Sequence, residues 1–220
     1  MPKEGSHLGI GLYSVADAAR IVGVHPTSIT RWISEDGGLI SRVIDPSERT
    51  LTFRELMEIQ FIKMFRAEGL SLQTIREVAE KAAARFKTDY PFSIRRFDTD
   101  GKTIFATLIG MNRNGKAIED LKHGQLVFDP IIRPFFRKLE YRGARQVARY
   151  WPMEKSGRVV LDPLRKFGQP IDATTGVPTR AIYDATRASG GQDWPTVAKW
   201  LGIPITAVEA AVNFEQSHAA

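Results

Sequence analysis

Apolar residues recur at helical spacing from early in the chain. Val15, Ala18, Ala19 and Val22 fall on one face, and Ile29 and Ile33, four residues apart, mark the inner side of a second run. Ser14 stands where an N-cap belongs, with Asp17 in the first turn, and Gly23 supplies the left-handed residue that ends the first helix. Pro26 fits the first position of the next helix. Thr27, Ser28, Thr30 and Arg31 are then left on the outward side. Two short helices joined at a glycine, apolar inside and carrying hydroxyls and a guanidinium outside, match a helix-turn-helix. Hydroxyls bond phosphates or base edges, and arginine takes guanine in bidentate fashion. An ordinary helical hairpin inside a core has the same pattern, so this segment alone leaves both readings open.

The period then shortens. Residues 39–44 and 50–53 read as two strand-like pieces around Asp-Pro-Ser-Glu-Arg, a small hairpin placed directly after the second helix, where a wing belongs. Arg42 and Arg49 are expected beside the DNA backbone there. Helical spacing returns over residues 52–69, marked by Leu56, Ile59, Phe61, Ile62 and Phe65, and over 71–86, marked by Leu72, Ile75, Val78 and Ala82. Gly69 separates these two helices and Ser71 caps the second.

From Tyr90 the texture changes. "FSIRRF" and "TIFATL" flank "DTDGK", which reads as a hairpin; "QLVF" reads as another short strand, and "DPIIRPFFRKL" as a turn into a short helix broken by Pro134. "ARQVARYWP" and "RVVLDP" read as strands joined by residues 154–157, with Arg145, Val147, Arg149 and Trp151 sharing one face. The turns "KFGQPI" and "TTGVPT" set a helix over 179–187. "WPTVAKWLGIPITAVEAAVNFE" then repeats the opening scheme of helix, glycine turn, helix. The outer positions of this second pair are read as Ile205, Thr206, Ala207, Glu209 and Asn213; a Glu there repels phosphate, which favours core or dimer packing. The whole predicts an α+β chain in three parts. These are an N-terminal winged helix-turn-helix (1–88), a small β-rich middle segment (89–157) and a mostly helical, helix-turn-helix-like C-terminal domain (158–220).

Charge shifts attention to the middle. The net charge is +6, and all of the excess lies in residues 91–150, which hold 12 Lys/Arg against 6 Asp/Glu. Arg133, Phe135, Phe136, Arg137, Lys138, Tyr141 and Arg142 interleave cations with rings. Such a stretch serves a nucleic acid through stacking, or an acidic partner protein, or is simply a core with a solvated rim. Asp98, Asp100, Glu119, Asp120 and Asp129 read as turn residues, with a nuclease site the weaker alternative.

The chain has no Cys, which excludes disulfides, thiolate metal sites and Cys nucleophiles and fits a reducing cytosol. The four His, at 7, 25, 123 and 218, form no ligand pair at helical spacing. A polar start gives no signal peptide, and no apolar run approaches the ~18 residues of a membrane span. GxxxxGK[ST], GxSxG and HExxH are all absent. A cytoplasmic binding protein, without cofactor, metal or catalytic residues, is expected.

The order "YSVADAARIVGVHPTSITRWI", hairpin, "LTFRELMEIQFIKMFRAEGLSLQTIREV" resembles the winged-helix domain of MerR-family regulators over about residues 12–80. The resemblance implies DNA binding through residues 26–33 and the wing. Two features differ from that family: the long antiparallel dimer helix is not evident, since Pro91 follows soon after Phe86, and the Cys ligands of its metal-sensing branch are missing. "VVLDPLRKFGQPIDATTGVPTRAIYDA" and "VAKWLGIPITAVEAAVNFE" look like a small domain of unknown function found in antitoxins, and the pairing with a MerR-like front resembles VapB-type antitoxins. That implies an operator DNA, a toxin partner with a PIN-like ribonuclease fold, and autorepression. A PIN-type site is a carboxylate cluster around a divalent ion, so Arg133, Arg137, Arg142, Arg145 and Arg149 are the candidates to enter it. A homodimer, joined through the C-terminal helices, is expected on palindromic DNA. The alternative is a stand-alone MerR-like regulator whose C-terminal part senses a small ligand.

Overall fold

A computed structural model describes residues 10–34, 38–40, 50–111, 115–143, 146–191 and 193–218. Strand β1 (Leu12–Ser14) leads into α1 (Val15–Val22), with Ser14 Oγ accepting from the Asp17 amide at 3.0 Å. Gly23 is left-handed (φ 72°) and closes α1, and α2 (Pro26–Trp32) starts on its proline. Strand β2 (Thr50–Thr52) pairs antiparallel with β1, Tyr13 opposite Leu51. The second piece of the expected wing is a strand, as read from the sequence. Thr50–Thr52 is laid against the strand preceding α1, where Leu51 and Tyr13 enter the core. Residues 38–40 form no strand, and the hairpin's tip, with Arg42 and Arg49, lies outside the described residues.

Helix α3 (Phe53–Ala67) opens on a complete capping box between Thr52 and Glu55, and α4 (Leu72–Phe86) is capped by Ser71. Both bury the expected residues, save that Leu72 is only half-buried. Lys87 is left-handed (φ 54°) and ends α4, so the helix stops at 15 residues.

The first part of the middle segment is helical where strands were expected, whereas the strands read at "ARQVARYWP" and "RVVLDP" are present. Residues Arg95–Met111 form α5 and Gly115–Val127 form α6. "DTDGK" lies within α5 because Phe97, Gly101, Ile104 and Phe105 recur at helical spacing and all are buried. Gly101 sits against the Phe128 ring and Gly124 of α6 against the Phe105 ring, at positions where a side chain would overlap. These glycines serve helix–helix contact rather than turning. "QLV" finishes α6, and a wide π-type turn (Phe128–Ile132) runs into α7 (Arg133–Phe136), where Pro134 occupies the first turn instead of breaking a helix. Asp98 and Asp100 lie in α5, and Glu119 and Asp120 in α6, so they are helical residues, not turn residues.

A four-stranded antiparallel sheet follows in the order β3 (Leu139–Arg142), β4 (Gln146–Tyr150), β5 (Val159–Leu161), β6 (Pro170–Asp172). The register places Glu140 opposite Arg149 and Tyr141 opposite Val147, so a bulge falls at Ala148. It separates Val147, which is buried, from Arg149, which is exposed, and breaks the single face expected for them. Helices α8 (Thr179–Ala188), α9 (Trp194–Leu201) and α10 (Ile205–Ser217) complete the chain, with left-handed Gly202 between the last two. Ala207 belongs to the core of this unit rather than to its outer side, because it packs with Ile182, Val197 and Val208.

The main core runs from Tyr13 to Leu161 and centres on phenylalanines. Phe61 meets Phe135 edge-on at 5.0 Å, and Phe92 meets Phe97 at 5.1 Å. The architecture is α+β. Among the described residues no helix is long and apolar enough to cross a membrane.

Candidate nucleic-acid interface

The opening helices place their side chains as an interface needs. Ala18, Ala19, Ile21 and Val22 of α1 and Ile29, Trp32 and Ile33 at α2 are buried. This inner side fixes the outer one. Thr27, Thr30 and Arg31 are exposed and Ser28 is half-buried. Arg31 forms no ion pair among the described residues, so its guanidinium is open to an anion. The Thr30 hydroxyl donates to the Pro26 carbonyl at 3.1 Å and keeps its lone pairs outward. His25, which sequence reasoning passes over, is exposed and caps α2: its Nδ1 accepts from the Thr27 amide at 3.3 Å and lies 2.8 Å from the Thr27 hydroxyl. A residue preceding Pro at a helix start was the available signal.

The scaffold behind these helices is braced from three directions. Lys63 of α3 donates to the Val22 carbonyl, the last of α1, at 2.5 Å. The Tyr13 hydroxyl donates to the Gly168 carbonyl at 2.6 Å. Arg20 on α1 pairs with Glu215 on α10 at 2.8 Å, and the Thr179 hydroxyl donates to the other Glu215 oxygen at 2.6 Å. Glu215 is only 1% exposed, so the C-terminal helices hold α1 through a buried carboxylate.

The middle arginines differ in what holds them. Arg133 lies 3.0 Å from Asp129 and 3.5 Å from Asp98. Arg149 bonds buried Asp162 at 2.8 Å and reaches Glu140 at 3.4 Å; the Asp162 hydrogen bond pushes its pKa up. Arg137 and Arg142 are exposed and make no ion pair among the described residues. Arg145 lies outside them. Four of the five carboxylates considered for a nuclease are engaged elsewhere, Asp98 with Arg133 as above, and Glu119 is exposed. Asp129 takes Lys102 at 2.6 Å, a hydrogen bond that pulls its pKa down, and Asp100 faces Arg85 and Arg96. Asp120 accepts from the Ser71 amide at 3.0 Å and the Thr74 hydroxyl at 2.9 Å, at the start of α4. Among the described residues no three His, Asp or Glu side chains are grouped to hold a metal.

Comparison with known proteins fits this geometry. Residues 13–82 match the MerR HTH family regulatory proteins, so the N-terminal part of the chain is a MerR-type helix-turn-helix domain. Over most of its length the chain is also similar to a Mycobacterium tuberculosis (strain ATCC 25618 / H37Rv) protein named "Putative antitoxin VapB45". The two are 23% identical over an alignment that covers 88% of this chain and 89% of the relative. The fold is shared with the crystal structure of Rv2018 from Mycobacterium tuberculosis at a TM-score of 0.77 and 22% identity, covering 93% of this chain and 99% of that one.

Proposed function

We propose that this protein is the antitoxin of a type II toxin–antitoxin system, binding the operator of its own operon and neutralising a PIN-like ribonuclease toxin in the cytoplasm. The observation that carries the DNA half is the solvent-open polar side of α2, with Thr27, Thr30 and Arg31 exposed above a buried Ile29 and Trp32. Ser28, and Arg42 and Arg49 on the wing, complete the proposed DNA contacts. The antitoxin half is supported by similarity to a relative of that name along most of the chain. Of the four candidate arginines among the described residues, Arg137 and Arg142 are free to be offered to an acidic toxin, whereas Arg133 and Arg149 already bridge elements of this chain.

The protein acts as a homodimer in this reading, because a two-fold operator needs two copies of α2. Trp200, 73% exposed, and Ile205, 42% exposed, give the C-terminal helices an apolar surface for the second copy. The three-part division at residues 88 and 157 is part of the same reading, and limited proteolysis tests it. Co-expression with the product of the adjacent gene tests the function. A stable complex, loss of the partner's ribonuclease activity, and retardation of DNA from upstream of the operon are expected. A chain that purifies alone beside an active nuclease overturns the toxin half.

A further inference from the structure

The turn between β5 and β6 exposes apolar side chains that the fold itself does not use. Leu164 is 59% and Phe167 60% exposed. The turn is nonetheless tightly held. Asp162 accepts from the Leu164 amide at 3.0 Å, Arg165 donates to the Ala173 carbonyl at 2.9 Å, and Gly168 receives the Tyr13 hydroxyl. Lys166 and Phe167 are both left-handed, at φ 47° and 55°, a region unfavourable to residues with side chains. Two disfavoured residues in a rigid turn whose apolar side chains face water gain nothing within the chain, and strain of this kind concentrates at binding surfaces.

Leu164 also forms one wall of a cleft of about 270 Å³, where the N-terminal domain, the middle segment and the C-terminal part meet. Its other walls include Phe53, Tyr90 and Val147, and its charged groups are Arg54 and Arg142, with no carboxylate in the lining. Arg54 lies over the Tyr90 ring at 5.9 Å, and neither arginine makes an ion pair among the described residues. The volume suits one large apolar side chain, and the two guanidinium groups suit a carboxylate beside it. Nucleic acid fits poorly, since apolar walls and the protruding Leu164 and Phe167 offer a phosphate backbone nothing.

We infer that the cleft and the 162–168 turn form the docking surface for the toxin, receiving a segment that carries a large apolar side chain next to an Asp or Glu. This rests on the antitoxin reading and reverses its expected polarity: the antitoxin supplies the socket and the toxin the acidic plug.

The test uses the full chain co-expressed with the product of the adjacent gene. The variants are Leu164→Ser/Phe167→Ser and, separately, Arg142→Glu; Arg187→Glu, at an exposed arginine outside the cleft, is the control. Each of the two cleft variants is expected to weaken the complex about tenfold or more, as removal of an interface anchor does. Retardation of operon DNA stays unchanged, which shows that the variants fold. Wild-type affinity in either cleft variant overturns the inference and leaves the antitoxin reading standing. Absence of any complex with the wild-type chain overturns both. Should the cleft variants instead change the chain's own sedimentation without touching the toxin complex, the occupant is a second copy and the inference falls.

Discussion

Arg31 and Glu58 show the two placements open to a charged residue, turned out to solvent or turned into the fold. Arg31 stands exposed on α2 with no internal ion pair. Arg31→Ala is expected to cost ~1–3 kcal/mol of specific operator binding if the guanidinium reads a base. If it meets phosphate, the loss is equal for all sequences and the salt slope falls by about one. A filter-binding series in salt separates the two, and an unchanged affinity removes α2 from the interface. Glu58 is fully buried on α3 and accepts the amides of Phe92 and Ser93 at 3.1 and 2.8 Å. Burial pushes its carboxyl up to about 7, against the pull of those hydrogen bonds. The folded chain thus keeps this proton where the unfolded chain has released it, and stability drops as pH climbs from about 4.5 to about 7, by on the order of 3 kcal/mol. Urea unfolding across that range measures the slope, and Glu58→Gln flattens it. No hydropathy pattern exposes Glu58; it sits in an apolar helix as one more polar letter.

At the level of elements, legibility followed how local the determining contacts are. Helices α1 to α4 can be read from the sequence because cap, period and terminator all fall within each segment: Ser14 and Gly23, Thr52 and Glu55, Ser71. Helices α5 and α6 resist such reading because Gly101 and Gly124, turn residues by local rules, are set by rings from elsewhere in the chain, Phe128 and Phe105. The bulge at Ala148 is likewise invisible to simple alternation. The joint between β1 and the turn after β5 depends on another such glycine. Gly168 is left-handed (φ 84°), and a methyl group there would overlap the Tyr13 hydroxyl. Gly168→Ala therefore combines backbone strain with displacement of a buried hydrogen bond, and a loss of about 2 kcal/mol is expected. The unfolding midpoint falls while the denaturant slope holds, which marks a change in stability alone.

For the whole molecule, two of the three contacts that brace the opening helices come from the far end of the chain. Glu215→Gln keeps a partner for Thr179 but leaves Arg20 without its anion. The cost is about 2 kcal/mol, below that of a fully buried pair because Arg20 retains some access to water. Operator affinity falls with it if α1 needs that support, and calorimetry beside a binding titration reads both. The salt bridge itself was not legible in the sequence, since nothing local ties residue 20 to residue 215. Its consequence concerns synthesis. Arg20 and Glu215 are separated by 195 positions. At ~5–20 residues per second a ribosome needs roughly ten to forty seconds to deliver the second after the first. Throughout that interval the nascent α1 and α2 hang without their clasp, so an unfinished or C-terminally clipped polypeptide is expected to present them less firmly than the finished one does.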